Sequence, residues 1–221
     1  MPPWLQLMAD SFWNLLSAGL KFTVPLAVLA FIFGLAVGIA VALLRLYAPK
    51  PLKRLGDFYV WVIRGTPLLV QLFLIFYGLP NAGITLDAFP AALIGFTINV
   101  GAYSSEIVRG AILSVPKGQW NAAHSLGMNG VQTMRWVIFP QSIFVSIPPL
   151  SNTFISLIKD TSLAAVITVP EMFLSAQRIV SVTYEPLILY IEAALIYLMF
   201  STVLSQLQVK LEKYYRRHIA H

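Results

Sequence analysis

The sequence predicts an all-α fold: a polytopic membrane helical bundle with five transmembrane helices, the N-terminus outside and the C-terminus cytoplasmic. Three observations carry this. Of the 221 residues, 58% are hydrophobic and 11% charged, against roughly 45–50% and about 25% in soluble domains. With a mean hydropathy of +0.77, a chain this short cannot hide its apolar surplus in a soluble core. Five stretches are apolar over about the 20 residues needed to cross ~30 Å of hydrocarbon. Lys and Arg are also spread unevenly between the intervening segments. Soluble, disordered and nucleic-acid-binding classes drop out, and no nucleic-acid partner is expected. The absence of cysteine excludes disulfides, thiolate metal sites and cysteine nucleophiles. Two of the three His residues, His218 and His221, fall in the tail, so no metal cluster is expected.

The opening MPPWLQLMADSFWNLL has no Lys or Arg before Lys21, so it does not read as a secretory signal. Its Trp4, Phe12 and Trp13 suggest an amphipathic segment lying at the membrane interface. Residues 22–44 form the first span, where Gly34 and Gly38 make a G-x-x-x-G that admits close approach by another helix. Residues 65–86 form the second, opened by an elbow at Arg64-Gly65-Thr66-Pro67, with Arg64 expected to snorkel toward headgroups and Gln71 to face the interior. Residues 88–105 form the third and lead into Glu106. Residues 136–158 form the fourth, punctuated by Pro140, Pro148 and Pro149, and residues 187–209 the fifth, with Glu192 near its start. Residues 163–170 are too short to span and read as re-entrant or interfacial.

Orientation follows from Lys and Arg. Arg45, Lys50, Lys53 and Arg54 follow the first span; Arg109, Lys117 and Arg135 separate the third and fourth; Lys210, Lys213, Arg216 and Arg217 occupy the tail. The opposite side holds Lys21 and Arg178, with Arg64 and Lys159 at or within spans. The net charge of +6 is therefore mostly a topology signal. No repeat or soluble domain is visible, so residues 1–221 read as a single transmembrane domain with a cytoplasmic loop at about 110–138.

In that loop, Pro116 and Gly118 break the incoming helix, and a short helix of small residues follows before Gly127. The residues alone leave an amphipathic connector and a docking element both open. Asn121-Ala122-Ala123, Gly127 and Ile138-Phe139-Pro140 resemble the EAA loop of ABC-transporter permeases, with Asn121 where that pattern has Glu. Further segments are similar to the polar amino acid uptake subgroup, the histidine, glutamine, arginine and cystine permeases. They are Arg64-Gly65-Thr66-Pro67-Leu68, Tyr77-Gly78-Leu79-Pro80, Lys117-Gly118-Gln119-Trp120, Pro148-Pro149-Leu150-Ser151-Asn152 and Lys159-Asp160-Thr161-Ser162-Leu163. Within the subgroup the chain most resembles cystine permeases.

The resemblance implies the architecture of a type I ABC importer permease. Trp120, Asn121, Ala122, Ala123, Ser125, Leu126 and Gly127 would form a coupling helix docked on a separate ATPase. The expected partners are two copies of the ATP-binding subunit, a second permease chain (a homodimer favoured over a heterodimer), a periplasmic or lipid-anchored amino acid binding protein, and membrane lipid. No Walker A string G-x-x-x-x-G-K-[ST] occurs, so the chain is not expected to be an enzyme; it binds no cofactor, and ATP and Mg are used by the partner. The expected location is the bacterial cytoplasmic (inner) membrane, multi-pass.

Ionisable residues inside a membrane suggest function. On the third span, Asn99, Tyr103 and Glu106 share one helical face, with Ser104 beside them. Glu106 either pairs with Arg109 one turn on or faces substrate; both stay open. Lys159 and Asp160, followed by Thr161 and Ser162, cannot form a self-contained pair because helix neighbours diverge. A carboxylate at Asp160 with nearby hydroxyls suits a zwitterionic amino acid. Asn99, Tyr103, Ser104, Glu106, Lys159, Asp160, Thr161 and Ser162 are the candidate substrate pathway, and no catalytic or metal residues are expected. The alternatives are an ion-gradient-driven secondary transporter, disfavoured by the lack of inverted repeats, and an intramembrane enzyme, disfavoured because no His lies in a span.

Overall fold

The computed structural model describes residues 2–219, with the side chains of residues 2–213, and every regular element among them is helical. The side chains of Arg216, Arg217 and His218, and residue His221, lie outside the described residues.

Helices α1 (Pro3–Ala18) and α2 (Val24–Tyr47) are joined through the π-helical turn Gly19–Thr23 into one helix of 45 residues. This corrects the expectation of a separate interfacial segment. The reason is a buried stripe at helical spacing: Ser11, Leu15 and Ala18 are all buried, and Leu15 packs on Met172, Ala176, Ala193 and Ile196. Trp4 and Trp13 point away and are exposed.

Helix α3 (Lys50–Gly65) was not foreseen; its length of polar and apolar residues read as loop because the positive charges dominated it. It meets the following segment, residues 68–82, at a bend of 105°. That segment is α4 (Leu68–Phe73), a π turn and a 3-10 turn closed by Gly83 at φ +82°. Pro67 supplies the break, since it has no N–H to continue the helix. The expected elbow is therefore present.

Helix α5 (Ala88–Ser114) extends the third span by nine residues, carrying Glu106 and Arg109 inside the helix. Helix α6 (Lys117–Ser125) follows, then α7 (Gly130–Thr133), where Asn129 and Gln132 form a capping box. A π turn leads into α8 (Phe139–Asp160), which stays helical through Pro148 and Pro149; the irregular backbone comes later, as a 3-10 stretch over Thr161–Ile167 and a left-handed Thr168. Here the structure corrects the interfacial alternative for residues 163–170. Ala164, Ile167 and Val169 are fully buried, packing with Leu26, Leu72 and Phe96. Irregular backbone inside a membrane protein is tolerated where protein covers it. Helix α9 (Met172–Thr183), also unforeseen, leaves at 51°. Helix α10 (Pro186–Ile219) completes the described chain.

Three helices are long and apolar enough to cross a membrane, residues 3–47, 88–114 and 186–213, and the two bent pairs bring the number to as many as five. The first, third and fifth predicted spans lie within these long helices, while the second and fourth correspond to the bent pairs at residues 50–82 and 130–183. The bundle centres on α2 against α5. Gly34 and Gly38 let α2 approach so closely that a Cβ on Gly34 would stand 2.6 Å from the Val100 Cβ. Reciprocally, Gly101 accommodates Val37 and the Tyr59 hydroxyl.

Candidate functional site: a polar cavity at the elbow

The elbow and helices α5 and α8 enclose a cavity of about 670 Å³. The elbow contributes Arg64, Gly65, Thr66, Pro67 and Leu68; α5 contributes Asn99, Val100 and Tyr103; α8 contributes Asn152, Thr153, Ser156, Leu157 and Asp160. A helix broken at Pro67 turns its last residues inward, which brings Arg64 over the Tyr103 ring, 5.2 Å from its centroid. Among the described residues neither Arg64 nor Asp160 has an ion-pair partner. One cation and one carboxylate therefore face a space in which amides, hydroxyls and a phenol alternate with the apolar Pro67, Leu68, Val100, Leu157 and Leu163. Such a set can hold a carboxylate at one end and an ammonium at the other. A second cavity between α2, α8 and α10 is lined mostly by Val, Ile, Leu and Phe and offers no such pair.

Of the residues proposed from sequence, Asn99, Tyr103 and Asp160 line the polar cavity; the others stand elsewhere. Ser104 is fully buried between α2 and α5, against Gly38. Glu106 accepts from Arg45 and, at 2.9 Å, from Arg109, while Arg45 also donates to Asp57 at 2.7 Å. The pairing with Arg109 was open in the sequence; the ties to α2 and α3 were not seen. Gly34, Gly38, Ala42 and Arg45 form one stripe on α2 facing α5, and that spacing carries the missed signal. Lys159 is exposed on a different face. The Thr161 and Ser162 hydroxyls donate to the carbonyls of Ile158 and Lys159, both at 2.7 Å, and so complete the tight turn.

Sequence reasoning missed Arg64, Thr66, Asn152, Thr153 and Ser156. Arg64 was expected to reach headgroups, and the bend at Pro67 turns it into the cavity instead. The hydroxyls of α8 carry no signal in the sequence. The fully buried carboxylates are also not the two that stood out there. Glu171 caps α9, accepting from the Phe173 and Leu174 amides and the Tyr197 hydroxyl. Glu192 accepts from Ser11 at 2.5 Å, tying α10 to α1. Among the described residues no cluster of His, Asp or Glu is built to hold a metal.

On the face expected to be cytoplasmic, Trp120 packs α6 onto a cluster of Ala42, Val108, Ile112, Val115 and Ile138, and Ala123 of the same helix is buried. Asn121, Ala122, Ser125, Leu126 and Gly127 stay exposed, Leu126 at 78%. The helix ends in a Schellman motif: Met128 N–H donates to Ala123 O at 3.1 Å and Gly127 N–H to His124 O at 2.9 Å, with Gly127 at φ +78°. The result is a short rigid helix with an open outer face and an anchored inner one.

Comparison with known proteins matches residues 34–217 to the family described as binding-protein-dependent transport system inner membrane component. The L-cystine transport system permease protein TcyB of Bacillus subtilis (strain 168) is 52% identical over 219 residues, covering 99% of this chain and 93% of that protein. The glutamine transport system permease protein GlnP of Escherichia coli (strain K12) is 37% identical over 201 residues, 90% and 92% of the two chains. Among solved structures, a crystal structure of an amino acid ABC transporter with histidines superimposes with a TM-score of 0.89 at 39% identity, covering 94% of this chain and 97% of that one. An inward-facing MetNI methionine ABC transporter shares the fold, with a TM-score of 0.71 at 17% identity.

Proposed function

The chain belongs to the family of binding-protein-dependent transport system inner membrane components, the amino acid ABC transporter permeases, and on that premise we propose that the Arg64–Asp160 cavity is its substrate site and that L-cystine is its substrate. As a permease subunit it is a transport component and not an enzyme; ATP hydrolysis resides on a separate subunit. The family thereby disfavours the ion-gradient alternative.

One observation carries the reading of the site: a cation and a carboxylate without ion-pair partners face one polar cavity. Arg64 takes the substrate's α-carboxylate and Asp160 its ammonium, while Asn99, Tyr103, Asn152, Thr153 and Ser156 satisfy the remaining polar atoms. Resemblance to the cystine permease supports L-cystine. The whole chain acts as one permease domain in the cytoplasmic membrane, with its N-terminus outside. A second copy completes the pathway, two ATPase subunits using ATP and Mg dock on the exposed face of α6, and an external binding protein delivers substrate. Exposure of Asn121, Ala122, Ser125 and Leu126 beside the half-buried Trp120 and the buried Ala123 supports the docking role.

The test is uptake of labelled L-cystine by proteoliposomes containing the assembled transporter with Arg64→Ala or Asp160→Asn. Each substitution is expected to cut uptake about tenfold or more, the worth of one charge-assisted hydrogen bond. Unchanged uptake by both variants contradicts the site.

A further inference from the structure

Gln71 stands on α4, buried at 8% exposure, one turn beyond the elbow, and does not itself line the cavity. In an unbroken helix the carbonyl of Ile63 would accept from the N–H of residue 67, but residue 67 is proline and has none. Gln71 Nε2 supplies the missing donor, at 2.8 Å from Ile63 O. The same amide reaches Thr66 O at 3.2 Å and Thr66 Oγ1 at 2.9 Å. The Thr66 hydroxyl in turn donates to Val62 O at 2.9 Å, replacing the backbone bond lost where Thr66 becomes extended. On its other side Gln71 Oε1 accepts from Asn99 Nδ2 at 3.3 Å.

A single buried amide thus ties together two walls of the cavity. The elbow that carries Arg64 and Thr66 is fixed on one side, and Asn99 of α5 on the other. The half-buried Ile63 carbonyl, which has no backbone donor at Pro67, would be left unpaired, so removing the amide shifts the elbow rather than leaving it in place. We propose that Gln71 is a positioning residue that sets the guanidinium of Arg64 at the distance from α5 needed to receive the substrate's carboxylate. The proposal rests on the cavity being the substrate site.

The test uses the complex of the permease with its ATPase in lipid nanodiscs and compares binding of L-cystine with its diamide, in which the carboxylates are masked. The parent complex is expected to prefer L-cystine by about tenfold or more, the value of a charge-assisted contact. Both Gln71→Leu and Arg64→Ala should reduce that preference to within about twofold. Loss of packing alone would weaken both ligands and leave the ratio in place. If Gln71→Leu does not assemble, Gln71→Glu carries the same test, because it keeps the acceptor for Asn99 and lacks donors for the elbow. A preference lost in Arg64→Ala but kept in the Gln71 variant overturns this inference alone. A preference kept in Arg64→Ala, or absent from the parent, overturns the substrate site and this inference with it.

Discussion

Gly38 of α2 and Ser104 of α5 meet so closely that a methyl group added to Gly38 would stand 2.7 Å from the Ser104 Cβ. The bundle is organised around this contact, because the same pair of helices bears α3, through Tyr59 donating to Ile98 O at 2.6 Å, and the ion pairs of Glu106 with Arg45 and Arg109. Gly38→Val is expected to force α2 and α5 apart, at a cost of about 1–3 kcal/mol for overpacking. A lower melting temperature of the purified permease checks it. Gly110→Ala is the control: nothing lies within 4 Å of that position, and the substitution should leave stability unchanged or raise it slightly.

Glu106 is held by Arg45 and Arg109, away from the cavity, and this fixes what its loss should do. Glu106→Gln leaves Arg109 without its carboxylate and Arg45 with Asp57 alone. A partly exposed pair is worth less than a buried one, so a destabilisation of about 1–3 kcal/mol is expected. Thermal unfolding should register it, while the ratio of L-cystine to diamide binding stays at the parent value. A changed ratio would place Glu106 in the pathway after all.

Glu192 has a single donor, Ser11, and its second oxygen is buried without a partner among the described residues. Ser11→Ala removes the donor to Glu192 and should destabilise the packing of α1 on α10 by about 1–3 kcal/mol. Faster proteolysis near the N-terminus, measured against the parent, would show it. Parent-like protection would mean that α1 is held by Leu15 packing alone.

Leu126 is 78% exposed at the outer face of α6, and Gly127 beside it has open space around its Cα. Leu126→Glu should therefore spare the fold yet reduce the amount of ATPase that co-purifies by about tenfold, as expected for an interface anchor. Gly127→Glu should do the same and also lose stability, because the left-handed backbone at φ +78° disfavours a side chain by about 1–2 kcal/mol. Undiminished co-purification by Leu126→Glu would remove α6 from the docking surface.

How much of this was legible in the sequence depended on the kind of signal. Hydropathy over 20 residues marked five candidate crossings, three of which lie in long helices and two in bent pairs, since each is a local average. The G-x-x-x-G of Gly34 and Gly38 is local too, and its close approach followed. Gly127 was recognisable as a helix end because only a few residue types sit easily at positive φ. The two short amphipathic helices α3 and α9 were missed, because their packing is completed by other elements: Leu15, Ala193 and Ile196 cover α9, and Leu44 and Arg45 of α2 lie against Gly56 of α3. Asn99, Tyr103 and Asp160 were found as polar exceptions in apolar helices. For Arg64 the Gly65-Thr66-Pro67 pattern marked the elbow but not its 105° angle, and it is that angle that turns the side chain toward the cavity rather than the headgroups. Glu171 and Glu192 looked like ordinary span-edge charges, and only tertiary packing buries them.

The account is tested most directly by labelled L-cystine uptake into proteoliposomes holding this chain with its ATPase and binding protein, with and without ATP on the ATPase side. It predicts accumulation that requires ATP and is lost in Arg64→Ala and Asp160→Asn while those complexes remain assembled. ATP-independent accumulation by the permease chain alone, or full uptake in both variants, would contradict it.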